Sequence, residues 1–211
     1  MIQLDSITKQ LSPVIDRTKG RVLFPTKAIE CYDSLPSTGD VNVEYLIGDE
    51  IYSYDGADFV LQNSFTSSNP TNLFFHRSTY REFVDIMVQF KDQKDRFPLI
   101  FLNSPTIDIK IVGDLGYATL GQIIIATSSL PNLTSDIREV QSFRTILRPL
   151  SNMFLDSLRV LGMIDEKTEI NIKEHFFYGN LDDDGVSGNL FSDYVDAIEI
   201  KNLKIKLKTN C

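Results

Sequence analysis

Residues 134–162, TSDIREVQSFRTILRPLSNMFLDSLRVLG, constrain the fold more than any other stretch of the chain. Apolar residues recur there at steps of three and four, from Ile137, Val140 and Phe143 through Leu147, Leu150 and Phe154 to Leu158 and Leu161. That spacing lays one continuous stripe along a helix, and such a stripe must be buried against something. Thr134 or Ser135 can cap the start, Asp136 and Glu139 sit where the helix dipole favours anions, and Gly162 is a natural stop. Pro149 interrupts the pattern, because inside a helix it removes one hydrogen bond and crowds the preceding turn. The expectation is one long kinked helix, or two helices meeting near Arg148, forming the main core helix.

The flanking segments supply a sheet for that stripe to cover. Ile107–Val112 alternates as a half-buried strand, residues 113–116 make a turn, and 119–127 returns as a longer apolar strand. Residues 97–102 (FPLIFL) and 170–178 read as further strands. The segment 195–208 alternates apolar residues with Glu199, Lys201, Lys204, Lys206 and Lys208, and its phase slips at Asn202, as a bulge or bend requires. A second helix starts at Ser78 or Thr79 with Tyr80, Phe83, Val84, Met87 and Phe90 on its apolar side, and residues 2–18 read as a docking helix weakened by Pro13. Between them the chain changes character. Residues 20–75 are short alternating runs punctuated by Gly48-Asp49 and Asp55-Gly56, a β-meander followed by the polar loop 63–72. The expected fold class is α+β, with an antiparallel or mixed sheet flanked by helices on one face. The expected organisation is an N-terminal docking helix (1–19), a β-rich insertion (20–75) and a core (76–211).

Composition narrows function mainly by exclusion. The chain has 211 residues, 42% of them hydrophobic, with 14 Phe and 8 Tyr, enough for a real core. A formal charge of -8 argues against a nucleic-acid binder. The longest apolar run, 123–126, is far short of a membrane span, and the opening MIQLDSITKQLSPVID, with Asp5 early, does not read as a signal peptide. Cys31 and Cys211 form no metal motif and no disulfide framework, which suits a reducing compartment.

Candidate chemistry is sparse. Asn180, Asp182, Asp184 and Gly185 match the first half of a calcium loop, but Phe191 stands where the closing bidentate Glu belongs, so a solvated turn is the default. His76 and His175 have no Cys near them and no hydrolase signature, and Gly113–Gly116 is a hairpin turn, not a phosphate loop. No catalytic residue, metal ligand or cofactor site is assigned. Lys204, Lys206 and Lys208 share one strand face, and Arg138, Arg144, Arg148 and Arg159 give the core helix a basic side. These are a solvated surface that discourages edge-to-edge pairing, or a contact surface for an acidic neighbour. Tyr45, Tyr52 and Tyr54 are either strand-face packing or anchors for a partner.

Several runs carry a resemblance. The helix REFVDIMVQF, the strands FPLIFL and GQIIIATSS, the helix FRTILRPLSNMFLDSLRVLG, and the closing HFFYG and DYVDAIEIKNLKIKL lie in the part from about Tyr80 to Lys208, about 60% of the chain. In order and character this part resembles the tail terminator (tail-completion) proteins of long-tailed bacteriophages. The resemblance implies a non-enzymatic α+β virion subunit that forms a ring, commonly a hexamer, capping the tail tube and joining it to the head-side connector or other neck proteins. It implies assembly in the host cytoplasm, with no membrane partner and no sequence-specific nucleic acid. The β-rich insertion departs from the family's usual size and would sit outside the ring or contact another neck protein. Two alternatives stand beside it: a protein- or glycan-binding module using the insertion, and a metal-dependent hydrolase at the Asp182/Asp184 loop.

Overall fold

The computed structural model describes residues 3–4, 7–70, 72–89, 96–112, 115–164, 168–178, 194–207 and 209–210. The Asp182/Asp184 loop and Lys208 lie outside them. The chain divides into two compact units, residues 22–70 and the remainder.

The larger unit begins with β1 (Gln3–Leu4) and helix α1 (Ile7–Arg21). The predicted helical start is thus corrected: Gln3 and Leu4 are extended and pair antiparallel with Asn210 and Thr209 near the other end of the chain. Pro13 lies inside α1 without ending it, because Ile7, Leu11, Val14 and Ile15 are all buried and hold the helix down. Thr18, fully buried, donates to the Val14 carbonyl and contacts Ser157 Oγ at 3.1 Å, fastening α1 to the main core helix.

The smaller unit holds β2 (Phe24–Pro25), β3 (Ala28–Tyr32), β4 (Val43–Ile47), β5 (Glu50–Tyr54), β6 (Phe59–Gln62) and β7 (Ser67–Ser68). The meander β4–β5–β6 is antiparallel, whereas β3 lies parallel to β4 at the other edge of this four-stranded sheet. Such pairing ordinarily needs a helical crossover. Here an irregular loop suffices, held where Asp40 Oδ1 accepts from Asn42 N and the Asp40 amide donates to Tyr45 Oη at 2.7 Å.

The larger unit resumes with β8 (Phe74–Ser78), α2 (Tyr80–Gln89) and β9 (Leu99–Asn103), a parallel βαβ unit. A capping box starts α2: Thr79 N and Oγ1 donate to Glu82, and Glu82 N donates back to Thr79 Oγ1. After one 3-10 turn (Ser104–Thr106) come β10 (Ile107–Val112) and β11 (Leu115–Ser128). The core helix α3 then runs unbroken over 135–160, followed by β12 (Asn171–His175), β13 (Val195–Leu207) and β14 (Thr209–Asn210). The six-stranded sheet has the order β12-β13-β11-β9-β8, with β10 also paired to β11.

Pro149 neither kinks α3 to a stop nor splits it. Glu139–Leu147 is π-helical, so Arg148 N bonds to the Phe143 carbonyl, and Pro149 enters at the first turn of the α-helical remainder, Arg148–Val160, where its missing N–H costs little. Thr134 caps the start, its hydroxyl accepting from Ile137 N. At the other end Gly162 takes φ +70 while Met163 N bonds to the Leu158 carbonyl and Gly162 N to Arg159, a Schellman stop.

The α+β class and the mixed sheet are as the patterning predicts. The helices, however, occupy both faces of the sheet, not one. Val195 and Ala197 pack in one cluster with Phe83 and Met87 of α2, while Asp196 between them bonds to Arg138 and Ser142 of α3. Alternate residues of a strand face opposite ways, so the two helices cover opposite faces.

Candidate functional site

Two surfaces and one buried polar network are built by this framework, and both surfaces lie on an arm of the large sheet. Beyond Gly121 the strands β10, β11 and β13 continue as a three-stranded extension. Register puts Ile107, Ile109 and Ile111 on one face with Leu120, Ala118 and Gly116, and these in turn oppose Leu203, Ile205 and Leu207. The three β13 residues are buried, with Met163 O accepting from Lys206 N along the outer edge. At the β10 edge the cover is incomplete: Ile109 is 46% and Ile111 53% exposed. Among the described residues, no strand pairs with the outer edge of β10. An unpaired edge flanked by exposed isoleucines is a template for another strand.

The opposite face of the arm is polar. Lys110, Tyr117 and Lys206 form one cross-strand row, and Asp108, Thr119 and Lys204 the next. Lys204 Nζ lies 4.9 Å from the centre of the Tyr117 ring, and Lys110 meets Asp108 at 3.6 Å.

The arm bends at Gly121, where a polar network begins. Glu199 is 3% exposed, yet its carboxylate accepts from Gln122 at 2.5 Å and meets His175 Nε2 and Lys201 Nζ, each at 3.1 Å. Gln122 Oε1 accepts from Tyr80 and Asn103, and the Tyr80 and Tyr178 hydroxyls are 3.0 Å apart. Burial pushes the Glu199 acid up, but Gln122, Lys201 and His175 outweigh it and hold the group below the ordinary glutamate value of about 4.5. The network joins α2, β11, β12 and β13 around one ionised carboxylate. A lowered acid stabilises the fold above its unfolded value and loses that contribution as pH falls through its folded value. The melting-temperature gap between wild type and Glu199→Gln is therefore expected to shrink as pH is lowered from about 6 to about 3; a constant gap would refute this account.

The predicted site residues scatter over both units. Tyr45 is 4% exposed, its ring 5.1 Å edge-on to Phe59 and its hydroxyl bonded to Asp40, so it is a core residue and not a surface anchor. Tyr54 packs on Phe59 and against Gly39, whose missing side chain makes room for the ring. Tyr52 is half-buried and donates to Glu50 at 2.7 Å, as Tyr32 does to Glu30. Arg148 grips two carboxylates, Glu174 at 2.7 Å and Glu139, and both raise its basicity. Arg138 departs most from expectation: it is 1% exposed, so the predicted basic side of α3 is interrupted by a core arginine. Arg144 is exposed. His76 stacks between Phe74 and Phe83, where burial lowers its basicity. Among the described residues, no group of three or more His, Cys, Asp and Glu side chains is placed to hold a metal ion, and no helix is long and apolar enough to cross a membrane.

Residues of consequence that sequence reasoning did not single out are Ile109, Ile111, Glu199 and Gln122. For the isoleucines a signal existed: a six-residue strand alternating apolar and charged side chains followed by a hairpin return is an edge candidate. No such signal marks Gln122, whose partners are distant in sequence. Comparison with protein-family models, curated proteins and solved structures finds no match to this chain.

Proposed function

We propose that this protein is a structural subunit that assembles with copies of itself, and that it serves as a tail terminator or neck component of a long-tailed bacteriophage. In that role it caps the tail tube on the side facing the head connector. One observation carries the self-assembly reading: the outer edge of β10, which no strand among the described residues pairs, with two exposed isoleucines on an arm whose other strands are well covered. A monomer would leave this edge open to indiscriminate pairing, whereas a neighbouring subunit closes it specifically. The place in the virion rests on the resemblance of the helices and strands between Tyr80 and the end of β13 to terminator subunits.

Light scattering after size exclusion, with negative-stain imaging, tests the assembly. Wild type is expected to form closed rings of about six copies. Ile109→Lys with Ile111→Lys is expected to give monomers of unchanged circular dichroism, because two buried charges on a pairing edge oppose association. A wild type that stays monomeric at every concentration overturns the reading. Adding the protein to polymerising tail tubes tests its place, since a terminator arrests tube growth at one end.

A further inference from the structure

The charge of this chain is divided unequally between its two units. Residues 22–70 carry eight carboxylates against Lys27 alone, a net charge of -7 out of the chain's -8. Glu44 is buried; the other seven carboxylates are exposed. The same unit supplies six of the thirteen large hydrophobic residues that are exposed among the described residues, Tyr32 and Leu61 among them. Register places Glu30, Tyr45, Tyr52 and Leu61 in one cross-strand row of the small sheet, and Tyr32, Ile47 and Glu50 in the next row of the same face. Tyr45 is covered by the crossover loop, which leaves Glu30, Tyr32, Glu50 and Leu61 exposed and Tyr52 half-buried around it. That face is both acidic and apolar. On the larger unit, the polar face of the arm presents Lys110, Lys204 and Lys206 around Tyr117, against Asp108 alone in those two rows.

We propose that the acidic–aromatic face of one copy, Glu30, Tyr32, Glu50, Tyr52 and Leu61, docks on the lysine face of the arm of a second copy. The two faces differ and lie on one chain, so the contact is head-to-tail. Repetition of such a contact builds a ring when the rotation closes. Opposite charge steers the encounter and excludes the like-charged register, while Leu61 and the two tyrosine rings supply the apolar centre that charges alone do not. The inference rests on the self-assembly reading and adds a second surface to the β10 edge.

A charge exchange in the full-length chain tests it. Lys204→Glu with Lys206→Glu makes both faces acidic; Glu30→Lys with Glu50→Lys makes the small-unit face basic. Each double variant alone is expected to associate at least about tenfold more weakly than wild type by light scattering, at unchanged circular dichroism. An equimolar mixture is expected to recover assembly, because each variant then offers the face the other lacks. Wild-type association is also expected to weaken between about 0.05 and about 0.5 M salt. Wild-type rings together with two variants that assemble as wild type overturn this inference and leave the β10 reading standing. A wild type that is monomeric throughout overturns both. Two monomeric variants that do not recover on mixing also overturn it.

Discussion

Replacing Arg138 by Ala is expected to cost about 3–5 kcal/mol of stability, the largest loss from any single polar side chain here. Its guanidinium is 1% exposed and faces Asp196, which is fully buried, at 2.8 Å. It also donates to Ser129 Oγ, to the Leu133 carbonyl at 3.2 Å and to the Leu130 carbonyl, and its plane lies 3.6 Å from the centre of the Phe177 ring. Asp196 in turn accepts from Ser142 Oγ and from the Phe177 amide. The arginine therefore ties the start of α3, the loop leading into it and β13 into one node. Truncating it leaves a buried carboxylate without its counter-charge and removes a side-chain donor from the Leu133 and Leu130 carbonyls, and the uncompensated buried charge dominates the loss. For a chain of this size the midpoint should fall by roughly 6–20 °C in a thermal melt. Asp196→Ala should cost a similar amount, and the double variant less than the sum, since neither charge then remains buried alone. Additive losses would show that the pair is not coupled as its geometry demands.

Gly121→Ala is expected to destabilise by about 1–3 kcal/mol, although replacing a strand glycine by alanine ordinarily helps. The reason is local and steric. A Cβ at Gly121 would overlap the Thr106 carbonyl oxygen and lie 2.6 Å from Thr106 Cβ, and backbone of the 3-10 turn cannot swing aside as a side-chain tip can. Opposite it, Asn202 takes φ +54, while the register of β11 with β13 is the same on both sides of the pair, Leu120 to Leu203 and Gln122 to Lys201. The phase slip at Asn202 is thus a bend shared by both strands, with no inserted residue. Asn202→Gly should be neutral or mildly stabilising, because glycine adopts that conformation without strain, and Asn202→Val should cost about 1–2 kcal/mol. A tolerated Gly121→Val, judged by chemical denaturation, would remove the steric account.

How much of this was legible depended on the range of the interaction concerned. The strand over 107–112, the stripe of α3, its Thr134 cap and its Gly162 stop are local patterns, and the structure places each within a residue or two of where periodicity and capping chemistry put it. The slip at Asn202 was visible as a change of phase, but its cause was not, because Gly121 and Thr106 meet it only across strands. The strand β8 was missed: Phe74–Ser78 is half-buried and alternates poorly, and becomes a strand by pairing parallel with β9 through the crossover helix α2. The parallel partnership of β3 with β4 escaped for the same reason.

The candidate surfaces divide in the same way. Sequence by itself determined which side chains alternate, where helices begin and end, and that residues 22–70 are rich in acid and in short strands, because propensity, capping and charge act over a few residues. Only the tertiary structure decided that Arg138 is a core residue, that Tyr45 lies beneath a crossover loop, and that Glu199 keeps its charge in the interior. Those outcomes depend on partners such as Asp196, 58 residues from Arg138 along the chain, and Gln122, 77 from Glu199. An arginine on a helix reads as surface until the fold brings a carboxylate to it, since burying a charge is tolerable only where its partner is already in place.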